Sequence, residues 1–373
     1  LLFGAVAGAL ALFGAMALAE VLLRALPPQP VQGALFYQDA QRAEADYKAA
    51  KAAGLLEAVP ESPRPRERFA PGAQFFICYR NQDVMQKPWL DEQGCVAVQI
   101  NRWGLRERDE EAFGPAKPAG QQRILCIGDS FTFGWGIPAE QNWVRMLEDA
   151  LRTDRGDVRT INCGAAGAIV PDEYWWGLRD RFGAFDPDVV VVTLCLNDLV
   201  PSSGLCLALP PRAPTGFRLF DGIYALTQRG PLDLDPALDW STILLQLPED
   251  QGLASGLLDG DRPLAAMWAS GGTQDALQRM KDWCAQRNVR FLVCLWPFLQ
   301  GLSPGATYPF QGLHDRVAAF CAGAGIPFLD LLPSLRGHRD QDLWVTPADY
   351  HPNPSAQLLA LPAIEGFVRQ HWR

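Results

Sequence analysis

The stretch from Arg123 to Gly134, Arg-Ile-Leu-Cys-Ile-Gly-Asp-Ser-Phe-Thr-Phe-Gly, constrains this chain more than any other. An apolar run of strand length passes directly into a turn of small residues that carries a hydroxyl. If the strand lies inside a parallel sheet, the turn falls at its C-terminal edge, where open α/β sheets form their ligand sites. Downstream, Trp143, Leu147 and Leu151 share one face of a helical pattern from Pro138 to Leu151, with charges opposite. Ser130 therefore stands at a strand-to-helix junction as the first candidate nucleophile, and backbone N–H groups at such a junction can receive an oxyanion.

The same alternation continues along the chain. Strand patterns cover Arg123 to Ile127, Val158 to Asn162, Val189 to Leu196, Arg290 to Trp296 and a short run from Ile326 to Leu329. Helical patterns lie between and after them, at Asp172 to Phe182, Gln274 to Gln286, Leu313 to Ala322 and Ser355 to His371. Leu277, Met280 and Cys284 share a face, as core packing requires. The pattern predicts a parallel sheet with helices on both sides, beginning near Gln121. Residues 199–272, rich in Pro, Gly and Leu, interrupt it and read as an insertion beside the C-terminal edge of the sheet, a lid or a docking surface. Before the sheet, residues 72–120 read as a small β-rich approach segment. Residues 27–71 read as an exposed helix, Gln38 to Leu56, followed by a Pro-rich linker.

Net charge decides one exclusion. The chain of 373 residues carries a formal charge of −9 and has no basic cluster, so nucleic acid is excluded as a partner. Nine cysteines in a chain this long do not form a disulfide framework. Cys126, Cys163, Cys195 and Cys294 sit in the apolar runs, where a thiol behaves as a small hydrophobe. Phe75 to Cys78 and Cys95 to Val98 can pair as short strands outside the main sheet, and in an extracytoplasmic protein Cys78 and Cys95 are candidates for a disulfide, with free thiols equally open. No CxxC is present and the four histidines are scattered, so neither a metal site nor a cofactor is indicated. His314, His338 and His371 read as surface or helix residues.

Leu1 to Ala19 holds no charge and would extend about 28 Å as a helix, close to the thickness of a bilayer core. Residues 1–26 are therefore expected to be a transmembrane anchor holding a periplasmic or otherwise extracytoplasmic domain. A cleaved signal peptide is the rival reading, since Ala17-Leu18-Ala19 resembles a cleavage site, although the apolar run continues through Val21-Leu22-Leu23.

Four separated pieces carry chemistry. Gly128-Asp129-Ser130 supplies the hydroxyl; Asn162-Cys163-Gly164-Ala165-Ala166-Gly167 follows the second strand; Leu196-Asn197-Asp198 closes the third. Asp349-Tyr350-His351-Pro352-Asn353 precedes the last helix and pairs an imidazole with a carboxylate. A serine alcohol needs a base to take its proton, and a carboxylate on the second imidazole nitrogen fixes the tautomer. Ser130, His351 and Asp349 would fill these roles. The Ser130 and Gly167 N–H groups and the Asn197 amide would meet the oxyanion, each such donor being worth about 3 kcal/mol in comparable sites. Singly each piece has an ordinary structural use; jointly they fall at strand ends or in the loop before the final helix.

The four blocks resemble the signature of the SGNH (GDSL-type) hydrolase superfamily: Ser130 in Gly-Asp-Ser, Gly167 in Asn-x-Gly-x-x-Gly, Asn197 in Asn-Asp, and His351 in the last block. The resemblance runs from about Gln121 to the C-terminus, less the insertion. It implies a flavodoxin-like three-layer α/β/α fold with a mostly parallel five-stranded sheet, and ester hydrolysis or acyl transfer, often of acetyl groups on carbohydrate. The Asn101-Arg102-Trp103-Gly104-Leu105-Arg106 stretch and the N-terminal anchor are similar to membrane-tethered bacterial members.

Two features depart from the family pattern. Cys195 stands where Gly-x-Asn-Asp has its glycine, and Asp349-Tyr350-His351 is one residue shorter than the usual Asp-x-x-His. The shorter spacing leaves a Ser130–His351 dyad with a backbone carbonyl partner as an alternative to the triad. The expected function is a membrane-anchored serine esterase or O-acyltransferase acting on an ester of a sugar polymer or similar substrate, with Trp135, Trp175 and Trp176 near the mouth. The alternative is an accessory subunit of a membrane complex that uses the anchor, the charged helix and the insertion to bind its partners.

Overall fold

The computed structural model describes residues 8, 14–22, 34–36, 55–58, 67–79, 87–92, 94–107, 113–165, 171–199, 268, 271–347 and 349–372. Gly167, nearly all of the 199–272 insertion and most of the Gln38 to Leu56 stretch lie outside the described residues, as does most of 1–26. Among the described residues no helix is long and apolar enough to cross a membrane.

Seven residues make each of the four long strands, β6 (Gln122–Gly128), β7 (Val158–Gly164), β8 (Val189–Cys195) and β9 (Arg290–Trp296); β6, β8 and β9 are mostly apolar runs, whereas β7 also carries Arg159, Thr160 and Asn162. Such runs suit strands buried on both faces, and every residue of β8 is buried. With β10 (Phe328–Asp330) they form a five-stranded, all-parallel sheet in the order β10-β9-β8-β6-β7. The chain leaves β6 for β7 on one side, then crosses back to β8 on the other. That reversal is the topological switch point of the flavodoxin-like order, where a crevice opens beyond the carboxyl ends of the strands.

Helices cover both faces. α2 (Trp143–Arg155) packs on β7 and against the C-terminal α6 (Pro354–His371). α3 (Pro171–Asp180) packs against α4 (Gly272–Ala285), and Lys281 of α4 reaches the Ala324 carbonyl beyond α5 (Gln311–Gly323). Trp143, Leu147 and Leu151, the predicted apolar face, are fully buried. Cys126, Cys163, Cys195 and Cys294 lie in the core as small hydrophobes; the Cys195 side chain, in place of a glycine, is packed inside the sheet. His314, read from the sequence as a surface or helix residue, is a helix residue that does not face solvent. It sits on α5 but is buried, with Nδ1 2.8 Å from Asp330 Oδ1, because its helix face turns toward the end of β10.

A second, smaller β unit precedes the main sheet and extends beyond the approach segment 72–120: three of its short strands fall within residues 27–71, read from the sequence as an exposed helix and a Pro-rich linker. β4 (Gln74–Cys78) pairs antiparallel with β5 (Cys95–Gln99) and parallel with β1 (Ala34–Phe36), while β2 (Leu56–Ala58) and β3 (Glu67–Phe69) form a separate hairpin. Cys78 and Cys95 face each other across the β4–β5 ladder and are joined by a disulfide, Cα–Cα 4.2 Å. The unit does not hang free of the main sheet. Its buried residues Phe75, Ile77, Tyr79, Val96 and Val98 share one apolar cluster with Phe133, Ile137 and Val345.

The segment that follows β5 also covers the sheet edge. Glu107 Oε1 accepts from the Asn162 N–H (2.8 Å) and Glu148 Oε2 from the Thr160 N–H (2.9 Å), so two alternate donors of the edge strand β7 are satisfied by carboxylates. Arg145 bridges both acids at 2.7 Å. Burial raises the Glu107 pKa, and the neighbouring Arg145 and Arg159 oppose it.

Candidate active site

The nucleophile block is held by its own backbone chemistry. β6 ends at Gly128, where a Cβ would come within 2.4 Å of both Thr132 Oγ1 and Thr193 Oγ1, so only glycine allows the chain to turn here. Asp129 caps the next turn, its Oδ1 accepting the Phe131 N–H at 2.9 Å. The one-turn helix α1 (Ser130–Phe133) thus starts on Ser130 itself, one residue earlier than a helix following the serine, and Gly134 closes it in a left-handed conformation. Arg106, from the approach segment, binds the far end of the turn: Nη1 donates to the Phe133 carbonyl at 2.9 Å and to that of Gly134, and Nη2 to that of Ile137 at 2.5 Å. Burial lowers the Arg106 guanidinium to about 10.

The base arrives from the other end of the sequence. β11 (Trp344–Thr346) and β12 (Asp349–Pro352) form a two-stranded ribbon. Residues two apart on a strand point to the same face, so Asp349 and His351 leave β12 together. His351 Nδ1 is 2.5 Å from Asp349 Oδ1, and His351 Nε2 is 2.8 Å from Ser130 Oγ. The shortened spacing therefore suits an extended strand. The same Oδ1 accepts the His351 N–H at 3.1 Å, and Asp349 is fully buried. The aromatic rings of Phe131 and Trp135 lie 5.6 and 6.2 Å from the imidazole.

Asn197 follows β8 in a single 3₁₀ turn across the switch point from Ser130, with Nδ2 3.4 Å from Asp129 Oδ2. Behind it, Asp198 accepts from Tyr174 Oη at 2.7 Å and from the Cys195 N–H at 2.8 Å. Burial raises the pKa of both Asp129 and Asp198, and Asp129 pushes Asp198 further. Gly167 lies outside the described residues. Asn162, in the same block, orders the turn: Nδ2 donates to the Thr132 carbonyl at 2.9 Å, and Oδ1 accepts the Gly164 N–H at 3.0 Å. Trp175 and Trp176 are half-buried on α3, and Trp175 packs against the core.

Two contacts have no counterpart in the sequence reading. Tyr79 Oη donates to the second Asp349 oxygen, Oδ2, at 2.6 Å. Arg106 was visible only as part of a motif, without a role. Neither residue shows a local sequence signal of what it touches, because both partners are remote in the chain.

Residues 126–358 match the model of the GDSL-like Lipase/Acylhydrolase family. An arylesterase of Vibrio mimicus is 34% identical over 86 residues, which are 22% of this chain and 41% of that protein. The chain thus aligns with under half the length of that curated relative. Among solved structures, the lipase/acylhydrolase from Enterococcus faecalis is 12% identical, with 67% of this chain and 96% of that one covered and a TM-score of 0.40. A two-domain esterase active on acetylated mannans is 14% identical, with 68% and 49% covered and a TM-score of 0.40.

Proposed function

We propose that this chain, which belongs to the GDSL-like lipase/acylhydrolase family, is a serine carboxylic-ester hydrolase with Ser130 as nucleophile and His351 as general base. The observation that carries the reading is the continuous relay from Ser130 Oγ to His351 Nε2 at 2.8 Å and from His351 Nδ1 to Asp349 Oδ1 at 2.5 Å. Asp349 occupies the place where a backbone carbonyl would complete a dyad, so the triad is favoured. Ser130 is half-buried rather than occluded, which favours catalysis over a purely accessory role.

In the mechanism, Ser130 Oγ attacks the ester carbonyl as His351 Nε2 takes its proton. Negative charge then collects on the former carbonyl oxygen, where the Ser130 and Gly167 N–H groups and the Asn197 amide would receive it. His351 returns the proton to the leaving alcohol, giving an acyl-serine. A water deprotonated by His351 attacks that acyl-serine, the Ser130 Oγ–acyl bond breaks as His351 returns the proton to Oγ, and the acid leaves. A substrate hydroxyl in place of water would make the same site an O-acyltransferase, since the two reactions differ only in the acceptor.

The substrate we favour is an O-acyl, in particular O-acetyl, group on carbohydrate, for which Trp135 beside the imidazole offers a half-buried aromatic face. Residues 1–26 would tether the domain to a membrane on its extracytoplasmic side. The Cys78–Cys95 disulfide agrees with an oxidising compartment.

The test is covalent labelling with a fluorophosphonate probe together with turnover of short-chain aryl esters. Wild type should label and turn over, and Ser130→Ala and His351→Ala should do neither. Folded wild-type protein that neither labels nor turns over ester would defeat the reading. Release of acetate from an acetylated oligosaccharide, against its transfer to an added sugar, separates hydrolase from transferase.

A further inference from the structure

We infer that Tyr79 is a positioning residue of the catalytic site, acting through Asp349, so that the small β unit upstream of the family-matched region completes the triad. This inference rests on the hydrolase reading above. Its basis is geometric. Asp349 is fully buried and has two oxygens to satisfy; Oδ1 takes both the His351 Nδ1 contact and the His351 N–H. Oδ2 takes the phenol proton of Tyr79 at 2.6 Å. Two donors on opposite oxygens set the rotation of the carboxylate about Cβ–Cγ, and with it the direction in which Oδ1 meets the imidazole. The second donor also leaves neither oxygen of the buried carboxylate without a partner.

Tyr79 is itself held in place. Its side chain is buried in the cluster that joins Phe75, Ile77, Val96 and Val98 to Phe133, Ile137 and Val345. It follows the disulfide-bonded Cys78 directly, and its N–H donates to the Gly94 carbonyl at 3.0 Å. Gly136 leaves room for the hydroxyl: a Cβ at that position, where φ is +74°, would lie 2.2 Å from Tyr79 Oη. The loop after the nucleophile turn is thus shaped around the phenol that braces the base. Residue 79 lies outside the family-matched range of 126–358, so the family pattern does not supply this donor.

Tyr79→Phe removes only the hydroxyl, and the experiment reads it three ways. Against a short-chain aryl ester, we expect kcat to fall about tenfold with KM within twofold, and fluorophosphonate labelling to slow by the same factor. On an Asp349→Asn background the same substitution should change kcat by less than twofold, since Tyr79 acts only through that carboxylate. The proton shared by His351 Nδ1 and Asp349, a downfield NMR resonance identified by its loss in His351→Ala, should shift in Tyr79→Phe. This third reading needs no turnover, so it tests the contact even if wild type proves inactive, an outcome that would defeat the hydrolase reading instead. Val96→Ala, in the same apolar cluster, serves as the control for loosened packing and should lower thermal stability without moving the resonance. The inference is overturned if Tyr79→Phe leaves kcat within twofold, if its loss multiplies in full with that of Asp349→Asn, or if the resonance stays in place.

Discussion

Asp349 and His351 stand two residues apart on one extended strand, so the carboxylate and the imidazole leave the backbone on the same face and meet at 2.5 Å. A loop or turn would need a different spacing to bring the two side chains together. Here the β11–β12 ribbon sets the pair, and the main sheet delivers Ser130 to it.

Asp349→Asn should therefore lower kcat by on the order of 10³ to 10⁴, because the imidazole loses its tautomer control and its counter-charge. Labelling with fluorophosphonate should slow in parallel while the fold persists. Activity within threefold of wild type would indicate that the dyad suffices.

Asn197 lies across the switch point from the nucleophile, on the turn that ends β8. Asn197→Ala should reduce kcat by about 10²-fold, the usual consequence of losing one oxyanion donor, with little change in KM. A change confined to KM would assign the amide to substrate binding.

Arg106 donates to three backbone carbonyls at the end of the nucleophile turn. Arg106→Met should cost about 3 kcal/mol of stability, since hydrogen bonds to a charged donor are stronger than neutral ones and the three carbonyls would lose that donor. Arg106→Lys should restore little, because a single ammonium cannot reproduce the planar fork. Denaturant unfolding of the two variants checks this; full recovery with lysine would refute the role of the fork.

The Cys78–Cys95 disulfide closes a separation of 17 residues, for which loop-closure entropy suggests a contribution of about 3 kcal/mol. Reductant should lower the melting temperature of wild type and leave the Cys78→Ala/Cys95→Ala variant unaffected. Equal melting of wild type with and without reductant would contradict it.

Asp129 and Asp198 carry raised pKa values in the folded protein, chiefly through burial. The native state then holds protons that the unfolded chain has already released. Their contribution to stability is complete below the ordinary carboxylate value of about 3.9 and is lost as pH rises through the native values. Asp198→Asn removes one such group, so its melting temperature should gain on wild type as pH rises from about 4 upward. Parallel melting curves across that range would count against the buried pair.

Much of the fold was legible because its signal is local. Largely apolar runs of strand length alternating with amphipathic stretches make strands buried in a parallel sheet and helices covering them, and the C-terminal edges then follow from chain direction. Ser130, Asn197 and His351 could be named because each sits at such an edge or in the segment just before the last helix. Boundaries were read less well where the deciding contact is a side chain: α1 begins on Ser130 because Asp129 caps it, and α3 stops at Asp180 before a 3₁₀ turn. The burial of His314 on α5 was not legible, because one histidine in a helix has no local mark of the partly buried Asp330 that receives it.

By itself, then, the sequence determined the parallel α/β architecture, the serine at the first strand end and the histidine before the last helix. These follow from periodicity and order along the chain. Only the tertiary structure decided that a strand makes the Asp349 and His351 spacing work, that Arg106 clamps the nucleophile turn, and that Tyr79 reaches the triad. A hydrogen bond spanning 270 positions depends on how two sheets pack against a shared core, and packing of that kind leaves no periodic trace in either partner's local sequence.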